Sequence, residues 1–167
     1  MRGIVVHSTG ASITNVKRYV DYTDKLGVPS SKHWNQSGIE KMVHAFIGHD
    51  KDKNVCIVNT LPYNFRCWGV GKGDNGSYNS SHIQFEICED SLNDSSYYNE
   101  AIFGAAVQYC AYLCNLFNLS VDSIVSHRES YLAGYGSNHR DIDHWLNNFG
   151  HTMNDFRTAV AEKLNPK

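Results

Sequence analysis

Short apolar runs rich in β-branched and aromatic residues predict a β-sheet of five strands. Each run is too short for a stable helix, and Gly or polar residues bound it. Two of the runs flank the polar turn at residues 49–54, which predicts a hairpin. The predicted strands cover residues 2–7, 42–48, 54–61, 82–88 and 122–126.

Three other stretches carry apolar residues at helical spacing. They are residues 12–25, 96–118 and 152–164, and the last begins with Thr152 and Asp155, a capping-box pair. The order is therefore strand, helix, several strands, long helix, strand, helix. This order predicts a single α/β (α+β) domain in which one mixed β-sheet is flanked by helices.

Composition argues against several classes of protein but does not identify a function. A chain of 167 residues suits one domain, and such a domain buries roughly 70% of its unfolded surface without disulfides. With a net charge of -2, the sequence indicates no basic surface that would bind a polyanion, so we expect no nucleic-acid partner. No apolar run approaches the ~20 residues of a membrane span, and no secretory signal is recognisable. The 5 cysteines lack CxxC spacing, which argues against a disulfide framework.

Among the 9 histidines, His7 and His127 lie where a predicted strand gives way to a loop. His7 closes the first strand and His127 follows the last. If these strands are neighbours, both imidazoles meet at the carboxyl edge of the sheet, where open sheets bind ligands. A catalytic zinc ion takes three protein ligands and leaves one position open, so a third ligand should come from the segment after His127. That segment offers Glu129, His139, Asp141, Asp143 and His144.

A carboxylate stands inside another predicted strand. Glu86 lies between Phe85 and Ile87, so strand alternation places it on the opposite face from these two residues. If Phe85 and Ile87 face the core, Glu86 either faces water or lies where it is paired, near a metal or able to take up a proton.

Several segments, in this order, resemble one known family. They are "GIVVHSTG", "MVHAFIGHD" followed by "VCIVNTLP", "HIQFEICED" and "VSHRESYLAGYGSNHRDIDHWL". Together they resemble the type-2, zinc-dependent N-acetylmuramoyl-L-alanine amidases. That family includes many phage endolysins and shares its fold with the animal peptidoglycan-recognition proteins. The last segment is most similar to endolysins of clostridial phages and prophages.

The resemblance implies a set of metal ligands. Carried over by position, they are His7, His127 and Asp141, and the implied cofactor is Zn²⁺. The spacing from His127 to Asp141 is longer than in many members of the family. His139 and Asp143 therefore remain open as rivals for the third ligand position.

The resemblance also implies catalytic and substrate-binding residues. Glu86 matches the catalytic glutamate, and His139 takes the position of a catalytic Lys or His two residues before the third ligand. Trp68 is expected to line the substrate groove. His44 matches a histidine of the hairpin strand whose role is either structural or substrate-lining.

The chain departs from the family pattern at three positions. The frequent Trp-His-Xaa-Gly motif reads Trp68-Gly69-Val70-Gly71, so its histidine is missing. Gln84 replaces the glycine of the glutamate-bearing strand, and Val43 stands where some members have a tyrosine. The loss of that tyrosine shifts the expected proton-transfer role to Glu86.

The function implied is hydrolysis of the amide that joins the lactyl group of N-acetylmuramic acid to L-alanine in peptidoglycan. Residues 1–164 would form the zinc amidase domain, and residues 165–167 would start a linker to a C-terminal wall-binding domain. We expect synthesis in the host bacterial cytoplasm without a signal peptide and action on the cell wall. Two alternatives remain: a non-catalytic peptidoglycan-binding module and a zinc peptidase of the stem peptide, although no HExxH motif occurs.

Overall fold

Five strands form one mixed sheet in this computed structural model, which describes residues 1–21 and 26–166. The sheet order is β3-β2-β4-β1-β5; β2 and β3 form an antiparallel hairpin, and the other neighbours are parallel. This confirms the predicted mixed sheet. The strands are β1 (Gly3–Ser8), β2 (Ala45–His49), β3 (Val55–Asn59), β4 (His82–Ile87) and β5 (Ile124–Ser126).

The predicted long helix is continuous but changes its winding. A π-helical stretch at Asn99–Ala106 joins its two α-helical ends, and Asn118, with a φ of 51°, ends it. The capping box of Thr152 is present at the last helix, as predicted. Two short helices, α3 and α4, were not predicted. The helices are α1 (Ser95–Tyr98), α2 (Val107–Phe117), α3 (His127–Leu132), α4 (Asp143–Asn148) and α5 (Met153–Leu164).

The predicted helix over residues 12–25 is wrong in the part that the structure describes. Only a short 3-10 turn forms there, at Val16–Arg18, and residues 22–25 lie outside the described residues. The backbone just before this turn binds to β2 instead of forming a helix: the carbonyl oxygen of Thr14 accepts the His49 N–H at 2.8 Å. Asn15 also forms a β-bridge with His49. The apolar residues that suggested a helix instead pack under the sheet around Phe46.

The two faces of the sheet have different neighbours. Phe85 and Ile87 of β4 belong to the main core, which the sheet shares with α2 and α5. On the opposite face, Gln84 and Glu86 lie among polar residues and a second, smaller apolar cluster. The alternation predicted for β4 is thus correct. Of the helices described, none is long and apolar enough to cross a membrane.

The α2 helix allows a matched test of the main core. Leu113 is fully buried there, whereas Leu116 of the same helix is 50% exposed. Leu113→Ala should lower the free energy of unfolding by about 2–5 kcal/mol, because it removes buried contacts and leaves a cavity. Leu116→Ala should change it by less than about 0.5 kcal/mol. Urea unfolding followed by circular dichroism measures both, and equal losses would contradict the packing described.

Candidate metal centre and active site

Strand pairing brings three polar side chains to one edge of the sheet. His7 of β1 lies directly opposite Glu86 of the parallel strand β4, so both side chains point to the same face. On the other side of β1, β5 ends at Ser126, and His127 begins α3. His7 and His127 therefore meet although 120 residues separate them.

His7, His127 and Asp141 form a compact triangle. His7 Nδ1 lies 3.1 Å from His127 Nδ1 and 3.0 Å from Asp141 Oδ2, and the third side measures 3.3 Å. Within the described parts of the chain, these residues form the one group of three metal-ligand side chains close enough to share an ion. Asp143 and His139, the rival candidates, are not in it.

This donor set fits a tetrahedral zinc ion. Ligand atoms about 2.0 Å from such an ion are roughly 3.3 Å apart, close to the observed spacing. Two neutral imidazoles and one carboxylate are also a ligand combination that zinc accepts in catalytic sites. The three residues present therefore fit the metal that the sequence suggests.

The remaining ring nitrogens of both histidines have hydrogen-bond partners. His7 Nε2 lies 3.1 Å from Gln84 Oε1, and His127 Nε2 lies 3.2 Å from Ser137 Oγ. A ring nitrogen that donates its proton to such a partner leaves the other nitrogen free to bind a metal. Both histidines thus direct Nδ1 at the centre of the triangle.

The capping box of α3 holds His127 in place. Ser126 Oγ accepts the Glu129 N–H, and Glu129 Oε2 accepts the Ser126 N–H, each at 3.0 Å. Arg157 of α5 binds both carboxylate oxygens of Glu129, at 2.9 and 3.0 Å. Glu129, a candidate ligand from the sequence, therefore caps the helix that carries His127 and lies outside the triangle.

The two carboxylates of the site are in opposite electrostatic situations. Burial would raise the pKa of Asp141, but the imidazoles of His127 and His7, both within hydrogen-bond distance, outweigh it and hold this pKa far below its usual range. Burial raises the pKa of Glu86 well above its ordinary value, and the negative charges of Asp141 and Glu89 raise it further. Glu86 Oε2 has no hydrogen-bond partner within the protein.

An open cleft of about 510 Å³ lies over the triangle. Trp68, expected to line a groove, is 49% exposed on its wall, and the guanidinium of Arg66 lies 5.8 Å from its ring centroid. His139 also lines the cleft, and its Nδ1 is 3.0 Å from Ser137 Oγ. The cleft is therefore open enough to admit a ligand to the three residues of the triangle.

A profile of the N-acetylmuramoyl-L-alanine amidase family matches residues 1–143. The chain belongs to this family. Its relative Protein Ami of Listeria monocytogenes serotype 1/2a (strain EGD / Mackaness) is 27% identical over 169 residues, covering 96% of this chain and 16% of Ami. This amidase-family chain thus spans a small part of that relative's length.

Solved structures of similar fold support the architecture of the amidase-family domain. The hydrolase AmiA of Staphylococcus aureus, solved with its ligand, has a TM-score of 0.65 at 20% identity, with 98% of this chain and 72% of that chain covered. The PlyG catalytic domain gives 0.67 at 20% identity, covering 98% and 82%. A mutant endolysin from Bacillus subtilis gives 0.61 at 21%, covering 95% and 84%.

His44 does not reach the cleft of this amidase-family domain. It is 1% exposed, its Nδ1 accepts the Gln84 N–H at 3.0 Å, and its Nε2 lies 3.1 Å from the carbonyl oxygen of Phe65. Burial lowers the pKa of His44, which favours the neutral ring. Of the two roles expected from the sequence, the geometry favours the structural one, and the expected substrate contact is not supported.

Sequence reasoning missed several residues around the site. Lys41 lines the cleft, and Gln84, Asn79 and Ser137 back the two histidines. Gln84 had a detectable signal, because strand alternation places it on the same face as Glu86. Lys41 and Ser137 stand in loops and Asn79 in the short 3-10 turn Tyr78–Ser80, where no periodic pattern indicates the direction of a side chain.

One ion pair at the cleft edge should make stability depend on pH. His144 Nε2 lies 3.0 Å from Glu89 Oε1, and its Nδ1 lies 3.2 Å from the carbonyl oxygen of Arg140, so both ring nitrogens face acceptors. The hydrogen bond to Glu89 raises the pKa of His144, although burial opposes it. The pair therefore stabilises the fold fully below the unfolded-state pKa of about 6.5 and loses this effect as pH rises through the raised folded-state value.

His144→Gln should accordingly lower the free energy of unfolding more at pH 6 than at pH 9. Glutamine keeps a neutral donor toward Glu89 but cannot take up the proton. Urea unfolding of metal-free protein at both pH values measures the difference. An equal loss at both values would contradict a charged His144.

Proposed function

We propose that this domain is a zinc-dependent N-acetylmuramoyl-L-alanine amidase, an endolysin or autolysin that cleaves the amide between N-acetylmuramic acid and L-alanine in peptidoglycan. The observation that carries the proposal is the triangle of His7, His127 and Asp141, beside a buried carboxylate and beneath an open cleft. Membership of the amidase family supports the choice of bond.

The three residues of the triangle would hold Zn²⁺. When bound, zinc supplies Lewis acidity: it lowers the pKa of a water to about 7 and polarises the carbonyl group of the amide. Asp141 contributes the negative charge of the ligand set, and its very low pKa keeps it ionised. Gln84 and Ser137 keep the two imidazoles oriented.

Glu86 would act as the general base and then the general acid. It lies opposite His7 on the adjacent strand, lines the cleft and has one carboxylate oxygen without a protein partner. That oxygen can accept a proton from the attacking water and return it to the leaving amine of L-alanine. General acid–base catalysis of this kind contributes about 10²–10⁴-fold to the rate.

His139 and Trp68 would act on the substrate. His139 is exposed on the cleft wall near His127, where its ring can donate a hydrogen bond to the developing oxyanion; such a donor is worth about 10²–10³ in rate. Trp68 offers an exposed aromatic surface to the apolar face of a sugar or to the stem peptide.

The ligand assignment can be tested with two matched substitutions. Asp141→Asn removes the ligand carboxylate and should weaken zinc affinity by more than about 100-fold, beyond the loss typical of an outer hydrogen-bond partner. Asp143→Asn, two residues away, should leave the affinity within a few-fold. Competition with a chromophoric chelator measures both. The reverse pattern would transfer the ligand role to Asp143, and a wild-type chain without stoichiometric zinc would reject the site.

The role of Glu86 calls for a kinetic test. Glu86→Gln keeps the size of the side chain but cannot accept a proton, so kcat on purified cell walls should fall about 10²–10⁴-fold at unchanged zinc affinity. Glu162→Gln, which changes an exposed carboxylate of α5, is the control and should stay close to wild type. A fully active Glu86→Gln variant would refute the assignment.

The products distinguish the proposed amidase from its rivals. Cleavage at the expected bond frees L-alanine amino termini and leaves intact glycan, which amino-terminal labelling and mass spectrometry detect. A peptidase of the stem peptide frees other amino termini. A non-catalytic binding module sediments with cell walls and frees none, with or without a chelator.

A further inference from the structure

The segment Gly69-Val70-Gly71 lies beside the two candidate ligand histidines, and its two glycines line the cleft. Val70 is fully buried, and both of its peptide groups are used. Its N–H donates to Asn79 Oδ1 at 3.1 Å, and its carbonyl oxygen accepts from the backbone N–H and the hydroxyl of Ser137, at 2.9 and 3.1 Å. Val70 therefore binds the side chains of Asn79 and Ser137, and each of these begins a series of hydrogen bonds that leads to the triangle.

The first series of hydrogen bonds leads to His7 and determines which of its ring nitrogens carries the proton. The N–H groups of Gly69 and Val70 both donate to one side-chain atom of Asn79, at 3.2 and 3.1 Å. Because a backbone N–H can only donate, this atom must be the amide oxygen. Gln84 Nε2 donates to the same oxygen at 3.1 Å, so Gln84 turns its own oxygen to His7 Nε2. His7 must then carry its proton on Nε2.

The second series of hydrogen bonds leads to His127. The Ser137 hydroxyl donates to the carbonyl oxygen of Val70, which leaves its lone pairs to accept from the rings. His127 Nε2 lies 3.2 Å from this hydroxyl, and His139 Nδ1 lies 3.0 Å from it. Ser137 thus favours the Nε2 proton on His127, and it also contacts the ring of His139, which lies beside His127.

Each flanking glycine leaves room for one of the two backing side chains. A Cβ at Gly69 would lie 2.4 Å from Gln84 Oε1, and a Cβ at Gly71 would lie 2.7 Å from Ser137 Oγ. Both distances are far below van der Waals contact. Gly71 also has a φ of +72°, which disfavours other residues. A side chain at either position would displace the atom that contacts a ligand histidine.

We propose that Gly69-Val70-Gly71 is a positioning segment, which sets the proton of both ligand histidines on Nε2 through Gln84 and Ser137. This inference deepens the proposed function and rests on its metal site. It also assigns a common role to Gly69 and Gln84, two positions at which the chain departs from the family pattern. Neither residue contacts the reacting atoms.

The role of Gln84 is tested by two variants of similar size. Gln84→Met removes the acceptor and should weaken zinc affinity by about 10–100-fold, the usual effect of losing such a partner. Gln84→Glu keeps an acceptor oxygen toward His7 but sets its second oxygen against Asn79 Oδ1, so it should recover only part of the affinity that Gln84→Met loses. Chelator competition gives the affinities, and ¹⁵N NMR of the zinc-loaded protein reports whether His7 Nε2 still donates a hydrogen bond. Unchanged affinity and an unchanged His7 resonance in Gln84→Met would overturn the proposal.

A double-mutant cycle tests whether Gly69 acts through Gln84. Gly69→Ala should weaken zinc affinity about as much as Gln84→Met does, because the new methyl group displaces Gln84 Oε1. In the Gln84→Ala background only the contact with Val43 Cγ1, at 2.9 Å, remains, so Gly69→Ala should add clearly less than it does in the wild type. Equal losses in both backgrounds would show that Gly69 does not act through Gln84 and would contradict the proposal.

The wild-type protein separates this proposal from the proposed function. If it binds stoichiometric zinc but NMR of the metal-free protein finds the ring proton on Nδ1 of either histidine, the positioning segment is refuted while the metal site stands. If it binds no zinc, the proposed function fails first. Circular dichroism of every variant excludes unfolding as the cause of a lost affinity.

Discussion

The structure of the site depends on one constraint: three electron-rich groups face one another at about 3 Å. Two imidazole nitrogens and a carboxylate oxygen meet in a buried place, where lone pairs repel one another unless a cation or protons lie between them. The surrounding fold must therefore hold these groups against their repulsion. It does so with strand pairing, a capped helix and hydrogen bonds to the outer ring nitrogens.

The sheet separates this polar site from the apolar core. One face of β4 buries Phe85 and Ile87 against the helices, and the other presents Gln84 and Glu86 beside His7. Since neighbouring side chains of a strand point to opposite faces, a single strand serves both purposes. The rigidity of the core is thereby passed to the site, because the groups that must keep fixed distances belong to the same backbone as the core residues.

Much of this arrangement was predictable from local pattern. Period-two alternation placed Glu86 correctly, and the strand ends located His7 and His127. The pattern failed at residues 12–21, where Thr14 and Asn15 bond to His49 of β2, a contact with no local signal. Local pattern also left the role of His44 open between structural and substrate-lining, because the partners of its ring are backbone groups of distant residues.

The hydrogen-bond partners of the two ligand histidines could not be predicted from the sequence either, and the reason is physical. Gln84 gains its role from contact with His7, 77 residues away, and Ser137 from contact with Val70, 67 residues away. The role of a glycine in a loop likewise becomes clear only when its neighbour in space is known. The resemblance to the amidases marked Gly69 and Gln84 as departures, but only the structure shows that they lie against each other.

Hydrogen bonding on the site face is distributed unevenly, and this difference matters for chemistry. Gln84, Asn79 and His44 are buried amides and a ring whose polar atoms are bonded within the protein, which rigidifies them. Glu86, on the same strand as Gln84, keeps one oxygen without a protein partner and faces the cleft. A buried carboxylate in this state is unfavourable for folding, yet an acid–base catalyst must exchange its proton with the substrate and not with a fixed neighbour. The satisfied amides hold the geometry, and the unsatisfied carboxylate remains available to react.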